Sequence, residues 1–424
     1  MAADTPPPHQ AAIPVRLRWA LFTVLCIAGV FNAMDRPIIA ILKPDMMADF
    51  GWSDSDFGDL AAVTQFSAAF AFLFTGWLVD RLSVNRAMQV GASAWSLAAI
   101  AHGWAITTTH VIAARMGLGV TEAVQTPLTI KTVATLFPPD KRSFAFGFAT
   151  LLAGAGTIAM PFVIPALALS VGWRGALVAG GIGGFVSLIA WMWLARGIAQ
   201  LHTRRDASKG EVAGGEAYGA ILKSRQTWGI VVAKALSDMT WWFINFWLAD
   251  YYRKEFGLST LELAVPLAIA FAGSGLGALG AGWISTRLLE AGWSPNRVRK
   301  SVMLACALIV APLPLVLAMD SFWPVAVMIG VVMAGHQGFS LSLFSTITDV
   351  VPQAKVGRVT AFGAFMGNMG GVAISLVAGR VLDAGYGFVP LFVFASASYL
   401  VALAWFQWLI PVIRRPQDGA DLFE

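Results

Sequence analysis

The chain has few charged residues. Only 12% of its 424 residues are Asp, Glu, Lys or Arg, whereas 57% are hydrophobic. Water-soluble globular domains carry about 25% charged residues. The composition therefore excludes an ordinary soluble protein and indicates a chain that lies in lipid.

Cysteine and histidine are also scarce. Cys26 and Cys306 both fall in apolar segments, where neither a disulfide framework nor redox chemistry is expected. The five histidines, at positions 9, 102, 110, 202 and 336, are scattered, and no glycine-rich phosphate loop of the ATPase type occurs. These absences argue against a membrane enzyme and an ATP-driven pump, so we expect no catalytic residue, no metal and no bound cofactor.

Long apolar runs fill most of the chain. A membrane-spanning helix needs about 20 predominantly apolar residues. Twelve segments meet this length, near 17–42, 55–80, 86–108, 109–137, 143–170, 174–196, 225–252, 260–289, 298–319, 322–351, 356–383 and 387–412. The sequence therefore predicts an all-α membrane protein with 12 transmembrane helices.

The Lys and Arg residues lie mostly in one set of loops and in the two tails, while the opposite loops hold only Lys43, Arg174, Arg253 and Lys254. Cytoplasmic loops carry the excess of Lys and Arg, so both termini are expected inside the cell (inner) membrane. Residues 1–16 lack a cleavable signal pattern and read as a cytoplasmic tail. The net charge of +5 is better explained by contact with anionic lipid than by nucleic acid.

Two short motifs recur about half a chain apart. Gly76-Trp77-Leu78-Val79-Asp80-Arg81-Leu82 reappears as Gly282-Trp283-Ile284-Ser285-Thr286-Arg287-Leu288, and Arg142-Ser143-Phe144-Ala145-Phe146-Gly147 reappears as Arg358-Val359-Thr360-Ala361-Phe362-Gly363. Between the copies, a polar glycine-containing stretch has no hydrophobic period. We expect two six-helix bundles related by pseudo-two-fold symmetry, 17–196 and 224–412, a cytoplasmic linker at 197–223 and a C-terminal tail at 413–424. Such folds bind cargo at the interface of the halves.

The stretch GWLVDRLSVNR resembles the loop signature of the major facilitator superfamily. In that family, the acidic and basic residues of this loop lock the cytoplasmic side of the outward-facing state. The resemblance therefore implies a gating role for Asp80, Arg81 and Arg86. The alternative is a turn whose charges simply lie at the lipid surface.

Five further motifs are similar to the anion:cation symporter family, which includes hexuronate, galactonate and other sugar-acid permeases. They are NAMDRPIIA, ARMGLGVTEAVQTP, WWFINFWLADYY, GHQGFS with ITDVVP, and GNMGG. The chain departs from that family at Ala33, where many members have an aromatic residue, and at Ala249, where a proline is common. These departures leave the substrate open: hexuronate, aldonate, a diacid or a smaller monocarboxylate.

Four ionisable residues lie inside apolar segments, namely Asp35, Arg36, Arg115 and Glu122. Charges at such depth face a bundle interior or a watery cavity and mark ion or substrate paths. At 1.5 Å per residue, Arg36 and Arg115 both lie ~9 Å below the outer surface, and Glu122 lies ~10 Å deeper on the face of Arg115. The two guanidinium groups therefore share one level of the membrane.

A planar guanidinium suits a carboxylate and cannot lose its proton. We expect Arg36 and Arg115 to bind an organic anion, while Asp35 and Glu122, displaced from them, take up protons. Anion and proton then assist each other's binding, which predicts proton-coupled import by alternating access. The alternative is a static ion-pair network that joins the first and fourth spans.

Neutral polar residues of the second half complete the predicted site. Asn245, His336, Gln337 and Asn368 lie at depths where they could pair with hydroxyl groups of a sugar acid. For His336, a hydrogen bond to a neighbouring side chain is an equally good interpretation.

Two other functions compete with anion import. A proton-coupled drug or metabolite antiporter on the same fold would favour acidic groups without paired arginines, and Arg36 with Arg115 argues against it. A membrane sensor would carry a soluble signalling domain, which the chain lacks. The expected partners are a small organic anion, protons and the bilayer, and the fold usually works as a monomer.

Overall fold

The computed structural model describes residues 13–202 and 218–413. These ranges fold into α-helices and short turns and contain no strand. The first half forms α1 (Val15–Ala33), α2 (Asp35–Ile41), α3 (Lys43–Phe50), α4 (Asp54–Arg81), α5 (Val84–Ala101), α6 (Thr108–Glu122), α7 (Gln125–Leu136), α8 (Pro139–Leu194) and α9 (Ala199–His202). The second half forms α10 (Tyr218–Lys223), α11 (Arg225–Phe256), α12 (Ala264–Glu290), α13 (Pro295–Val310), α14 (Phe322–Val350), α15 (Gln353–Asp383) and α16 (Val389–Leu409).

Most of both predicted tails and the centre of the predicted linker, residues 1–12, 203–217 and 414–424, lie outside the described residues. The division into bundles 17–196 and 224–412 stays a prediction. We use "first half" and "second half" for the helices on either side of residues 203–217.

The helices match the predicted spans. Eight described helical segments are long and apolar enough to cross a membrane. One of them, Asp140–Leu194, holds two predicted spans, because Gly172 adopts φ 71° and interrupts the helix. The three remaining spans are also helical, as α5, as α6 with α7, and as α11, and carry more polar residues. The prediction of an all-α multi-pass membrane protein is confirmed.

Prolines break the two helices that carry the intramembrane charges. Pro37 has no backbone N–H to donate to Ala33, and the helical hydrogen-bond pattern is interrupted at Met34, between α1 and α2, although its φ and ψ stay helical. Pro127 acts in the same way on Ala123, between α6 and α7. Each break therefore lies beside one of the acidic residues predicted to carry protons.

The two halves meet closely along α4 and α15. A Cβ atom added to Gly58 would lie 2.5 Å from the carbonyl oxygen of Ser375, and one added to Gly379 would lie 2.6 Å from that of Asp54. Small residues let helix backbones approach this closely. This crossing lies at the end of the molecule that is opposite the described chain termini. The sequence predicts that this end faces the outside.

A charge network closes the same end. The Lys43 ammonium of the first half lies 2.5 Å from Asp54 and 2.7 Å from Asp250 of the second half. Lys254 lies 2.7 Å from Asp54 and 3.2 Å from Asp250. The Asp383 carboxylate accepts hydrogen bonds from the backbone N–H groups of residues 54 and 55. The halves are therefore tied together at the predicted outer end.

Candidate functional site

Arg36 and Glu122 form the central ion pair of the site. Arg36 lies in the first turn of α2, Glu122 at the end of α6, and Nη2 of the arginine is 2.6 Å from Oε2 of the glutamate. The Glu122 side chain is only 2% exposed, whereas that of Arg36 is 24% exposed. The guanidinium therefore contacts a buried acid on one side and faces open space on the other.

Arg115 and Asp35 lie behind this pair, and both are fully buried. Nη1 of Arg115 donates a hydrogen bond of 3.3 Å to the backbone carbonyl of Asp35. The carboxylate oxygens of Asp35 accept no hydrogen bond from the described part of the chain. All four predicted charges thus meet where α2 and α6 adjoin, and in this conformation Arg36, rather than Arg115, reaches open space.

The open space beside Arg36 is a cavity of about 120 Å³ between the two halves. Three of its lining side chains are polar: Arg36, Thr157 and Asn245. The others are Gly29, Val30, Ala33, Pro37, Ala153, Met160, Trp241, Trp242 and Phe271. The cavity is therefore mainly apolar, with one cationic group.

A second cavity of about 300 Å³ adjoins the first and shares Gly29 and Ala153 with it. It lies among α1, α7 and the start of α8, and its lining includes Gln125, Thr129 and Thr150. These segments run towards the end that carries the described termini. The two cavities together outline a path from Arg36 to that end.

The four predicted neutral residues lie in different surroundings. Asn245 lines the cavity, and its amide nitrogen donates to the carbonyl of Trp241. His336, only 2% exposed, lies 2.6 Å from the hydroxyl of Tyr399 and stacks on Trp241. The hydrogen-bonded interpretation of His336 fits this position, which is behind the cavity wall.

Asn368 accepts a hydrogen bond of 3.1 Å from the amide nitrogen of Gln65. That bond joins α15 of the second half to α4 of the first, so Asn368 bridges the halves near the middle of both helices. Gln337 is half-buried on α14. Neither Asn368 nor Gln337 lines the cavity beside Arg36.

The predicted gating residues Asp80, Arg81 and Arg86 are all exposed. The Arg81 guanidinium lies 3.9 Å from the ring centre of Trp77, on its own helix. Within residues 13–202 and 218–413, none of the three forms an ion pair. Such an arrangement fits a conformation in which the predicted outer end is closed and this loop is disengaged.

Lys43 is the residue that the sequence did not single out. It is fully buried, and its ammonium lies 4.0 Å from the ring centre of Trp247. Burial lowers the pKa of Lys43, and the nearby carboxylates of Asp250 and Asp54 oppose that change. Only its position as a lone cation between the first two predicted spans could have drawn attention to it.

Lys131 of α7 is bound to the end of α4. Its ammonium donates to the carbonyls of Val79 and Leu82, at 2.7 and 2.6 Å. These carbonyls belong to the end of α4, where helical carbonyls lack intrahelical partners. Lys131 therefore caps α4 next to the predicted gate.

The sequence model for the Major Facilitator Superfamily matches residues 25–374 of this chain. The chain belongs to the major facilitator superfamily. A member of this superfamily is a transporter rather than an enzyme, and its twelve-helix fold agrees with the helices described above.

Several relatives of this chain are named as transporters of sugar acids. The D-galactonate transporter of Escherichia coli O6:H1 is 26% identical, over 96% of this chain and 99% of that protein. The hexuronate transporter of Escherichia coli K12 is 24% identical, over 89% and 90% of the two chains. The probable galactarate/D-glucarate transporter GudP of Bacillus subtilis is 24% identical, over 94% and 93%.

Solved structures of other transporters share the fold. A bacterial homologue of the human lysosomal transporter Spinster, inward-facing and occupied, superposes with a TM-score of 0.71 at 15% identity, over 94% of this chain and 97% of that one. An inward-facing bacterial homologue of the iron transporter ferroportin gives a TM-score of 0.68 at 15% identity, over 94% and 99%. At this identity the likeness concerns the fold alone.

Proposed function

We propose that this transporter imports an organic anion in symport with protons by alternating access. The observation that carries the proposal is the Arg36–Glu122 pair at 2.6 Å, because its guanidinium also lines the cavity between the halves. A planar guanidinium offers a carboxylate two parallel hydrogen bonds. The site is therefore built for a negatively charged cargo.

Competition between the cargo carboxylate and Glu122 for Arg36 couples cargo binding to proton binding. An entering carboxylate competes for the guanidinium whose charge otherwise stabilises Glu122, a side chain that is only 2% exposed. A buried carboxylate without a partner is costly, and the neutral acid is not. Glu122 then binds a proton when cargo binds, and linkage makes the assistance mutual.

Asp35 is the second proposed proton carrier. It is fully buried, and its carboxylate oxygens have no hydrogen-bond donor among the described residues. In such surroundings the neutral acid is the better-tolerated form. Arg115, bonded to the Asp35 backbone, serves as a second cation that reaches cargo only when α2 and α6 rearrange.

The relatives support a carboxylate as cargo: a sugar acid or another small carboxylate. We assign substrate contact to Arg36 and Asn245, and supporting positions around the site to His336, Gln337 and Asn368. Asp80, Arg81 and Arg86 form the gate at the end of the termini. We place the protein in the inner membrane as a monomer with cytoplasmic termini, and the proton is its coupling ion.

Uptake by proteoliposomes tests this proposal. Purified protein is reconstituted, a pH gradient is imposed with the acidic side outside, and accumulation of labelled D-galactonate, D-glucuronate and benzoate is followed. Protein-free liposomes measure passive entry of weak acids, and a protonophore removes the gradient. We expect accumulation of at least one anion above equilibrium that requires both protein and gradient. Transport of organic cations only, by exchange for protons, would overturn it and favour the drug antiporter.

A further inference from the structure

Apart from the Arg36 guanidinium, the cavity offers few hydrogen-bond donors for a polyhydroxylated cargo. The Thr157 hydroxyl already donates to the carbonyl of Ala153 on its own helix, and the Asn245 amide already donates to Trp241. A sugar acid carries a hydroxyl on nearly every carbon, and each one loses water when it enters. Buried polar groups without partners are strongly disfavoured, so this wall favours a cargo with few hydroxyls.

The adjoining cavity does not supply the missing partners. The hydroxyls of Thr129 and Thr150 donate to carbonyls of their own helices, at 2.9 Å in both cases. The amide nitrogen of Gln125 donates to the carbonyl of Leu25. The hydroxyl protons along the whole path are therefore used by the backbone, which leaves mainly acceptor oxygens for a cargo.

Two indole rings form the wall beside the guanidinium. The Arg36 guanidinium carbon lies 5.5 Å from the ring centre of Trp242. Trp242 is stacked on Phe246, and Trp241 on His336, with interplanar angles of 19° in both pairs. Each indole is thus fixed from behind by a second ring, which leaves a rigid aromatic surface next to one cation. Aromatic rings pack favourably on such surfaces.

The space has the size of a single ring. Its volume is about 120 Å³, and an apolar protein cavity of about 150 Å³ holds benzene. Ala33 contributes a small side chain that is exposed to this space. A larger residue at that position would fill it.

We propose that the organic anion of this transporter is a small aromatic monocarboxylate, whose ring packs against Trp241 and Trp242 while its carboxylate binds Arg36. This inference rests on the proposed function, since it names the substrate class of the same site. The proposed substrate class also differs from the sugar acids for which the relatives are named.

Binding to the purified full-length protein tests the inference, because a binding assay avoids passive entry of weak acids into liposomes. The probes are sodium benzoate, cyclohexanecarboxylate and D-galactonate, followed by tryptophan fluorescence and by the midpoint of thermal unfolding. We expect benzoate to bind at least 10-fold more tightly than either other anion. Trp242→Leu should weaken benzoate binding at least 10-fold, whereas Trp104→Leu, at a residue 75% exposed on a distant loop, should leave it unchanged.

A second variant covers the case in which Trp242→Leu fails to fold. Ala33→Leu fills the cavity from an exposed position and should weaken benzoate binding without lowering the unfolding midpoint. Tighter binding of D-galactonate than of benzoate would overturn the inference and leave the proposed function standing. Equal binding of cyclohexanecarboxylate and benzoate would overturn the aromatic assignment. Failure of every carboxylate to bind would overturn the proposed function itself.

Discussion

The Lys43 ammonium lies 2.7 Å from the Asp250 carboxylate, although 207 positions separate the two residues in the chain. Lys43 belongs to the first half and Asp250 to the second, and both side chains are nearly or fully buried. The contact exists only while the predicted outer end is closed. It is therefore a tie that must break each time the transporter opens to that side.

Asp250→Asn should favour opening of the predicted outer end. The substitution removes a carboxylate charge that faces both Lys43 and Lys254, and only in the closed conformation. Because Asp54 stays beside Lys43, the loss is smaller than that of about 3–5 kcal/mol for a buried pair that loses its only partner. Spin labels at Trp104→Cys and Leu261→Cys, on loops of opposite halves at this end, report the separation after Cys26 and Cys306 are replaced by Ser. We expect the distance distribution to shift to longer values.

Glu290→Gln is the matched control for Asp250→Asn. Glu290 pairs with Arg287 at 3.8 Å, and both side chains are more than 60% exposed, so little stabilisation is lost. The control should leave the distances unchanged. An unchanged distribution in Asp250→Asn as well would show that the network does not hold the closed state.

Gly58→Ala should disturb the same closed end by packing rather than by charge. The new Cβ would lie 2.5 Å from the backbone carbonyl oxygen of Ser375, which cannot move without shifting α15. Overpacking of this kind costs about 1–3 kcal/mol, so the thermal unfolding midpoint in detergent should fall.

Gly76→Ala on the same helix is the control for Gly58→Ala. Nothing lies within 4 Å of a Cβ at Gly76, and alanine is the better helix former by about 1 kcal/mol. Its midpoint should stay equal or rise. If both alanine variants have the same unfolding midpoint, the close approach of α4 and α15 does not contribute to stability.

Sequence reasoning located the central charges because an apolar helix makes any ionisable residue conspicuous. Helical rise predicted one level for Arg36 and Arg115, with Glu122 deeper on the face of Arg115, and the structure does bring these charges and Asp35 together. Periodicity could not tell which guanidinium faces open space. That depends on which neighbouring helices cover each side chain, and these contacts are long-range.

The closed end could not be predicted in the same way. Lys43, Asp54 and Asp250 each sit at the edge of an apolar segment, where charges are ordinary and point to water. Their burial arises from the packing of one half on the other, through the glycine contacts of α4 and α15. No local pattern in the chain encodes such a long-range contact.

Asp49→Asn should destabilise the protein in a pH-dependent manner. Hydrogen bonds from the Trp173 indole and the Arg174 guanidinium hold the pKa of Asp49, which lies outside the spans, below its usual value. A lowered folded pKa means that the stabilisation is complete above the unfolded value of about 3.9. It is lost as the pH falls through the lower folded pKa.

The unfolding midpoints of wild type and Asp49→Asn should therefore differ at pH 7, and the difference should be smaller at about pH 3. Asp320→Asn, at an exposed acid on another loop of the same end, serves as the control and should match wild type at both values. A difference between Asp49→Asn and wild type that persists unchanged in acid would contradict the ion-pair explanation.

Glu122→Gln should separate cargo exchange from proton coupling. Glutamine keeps the size of Glu122 beside Arg36 but binds no proton, so Arg36 is left free for a carboxylate. Counterflow of a transported anion between preloaded liposomes and medium should persist, while accumulation driven by a pH gradient should fall at least 10-fold. Glu290→Gln, exposed at the far surface, should retain both activities. Gradient-driven accumulation by Glu122→Gln at the wild-type level would remove Glu122 from the proton path and leave Asp35 to carry it.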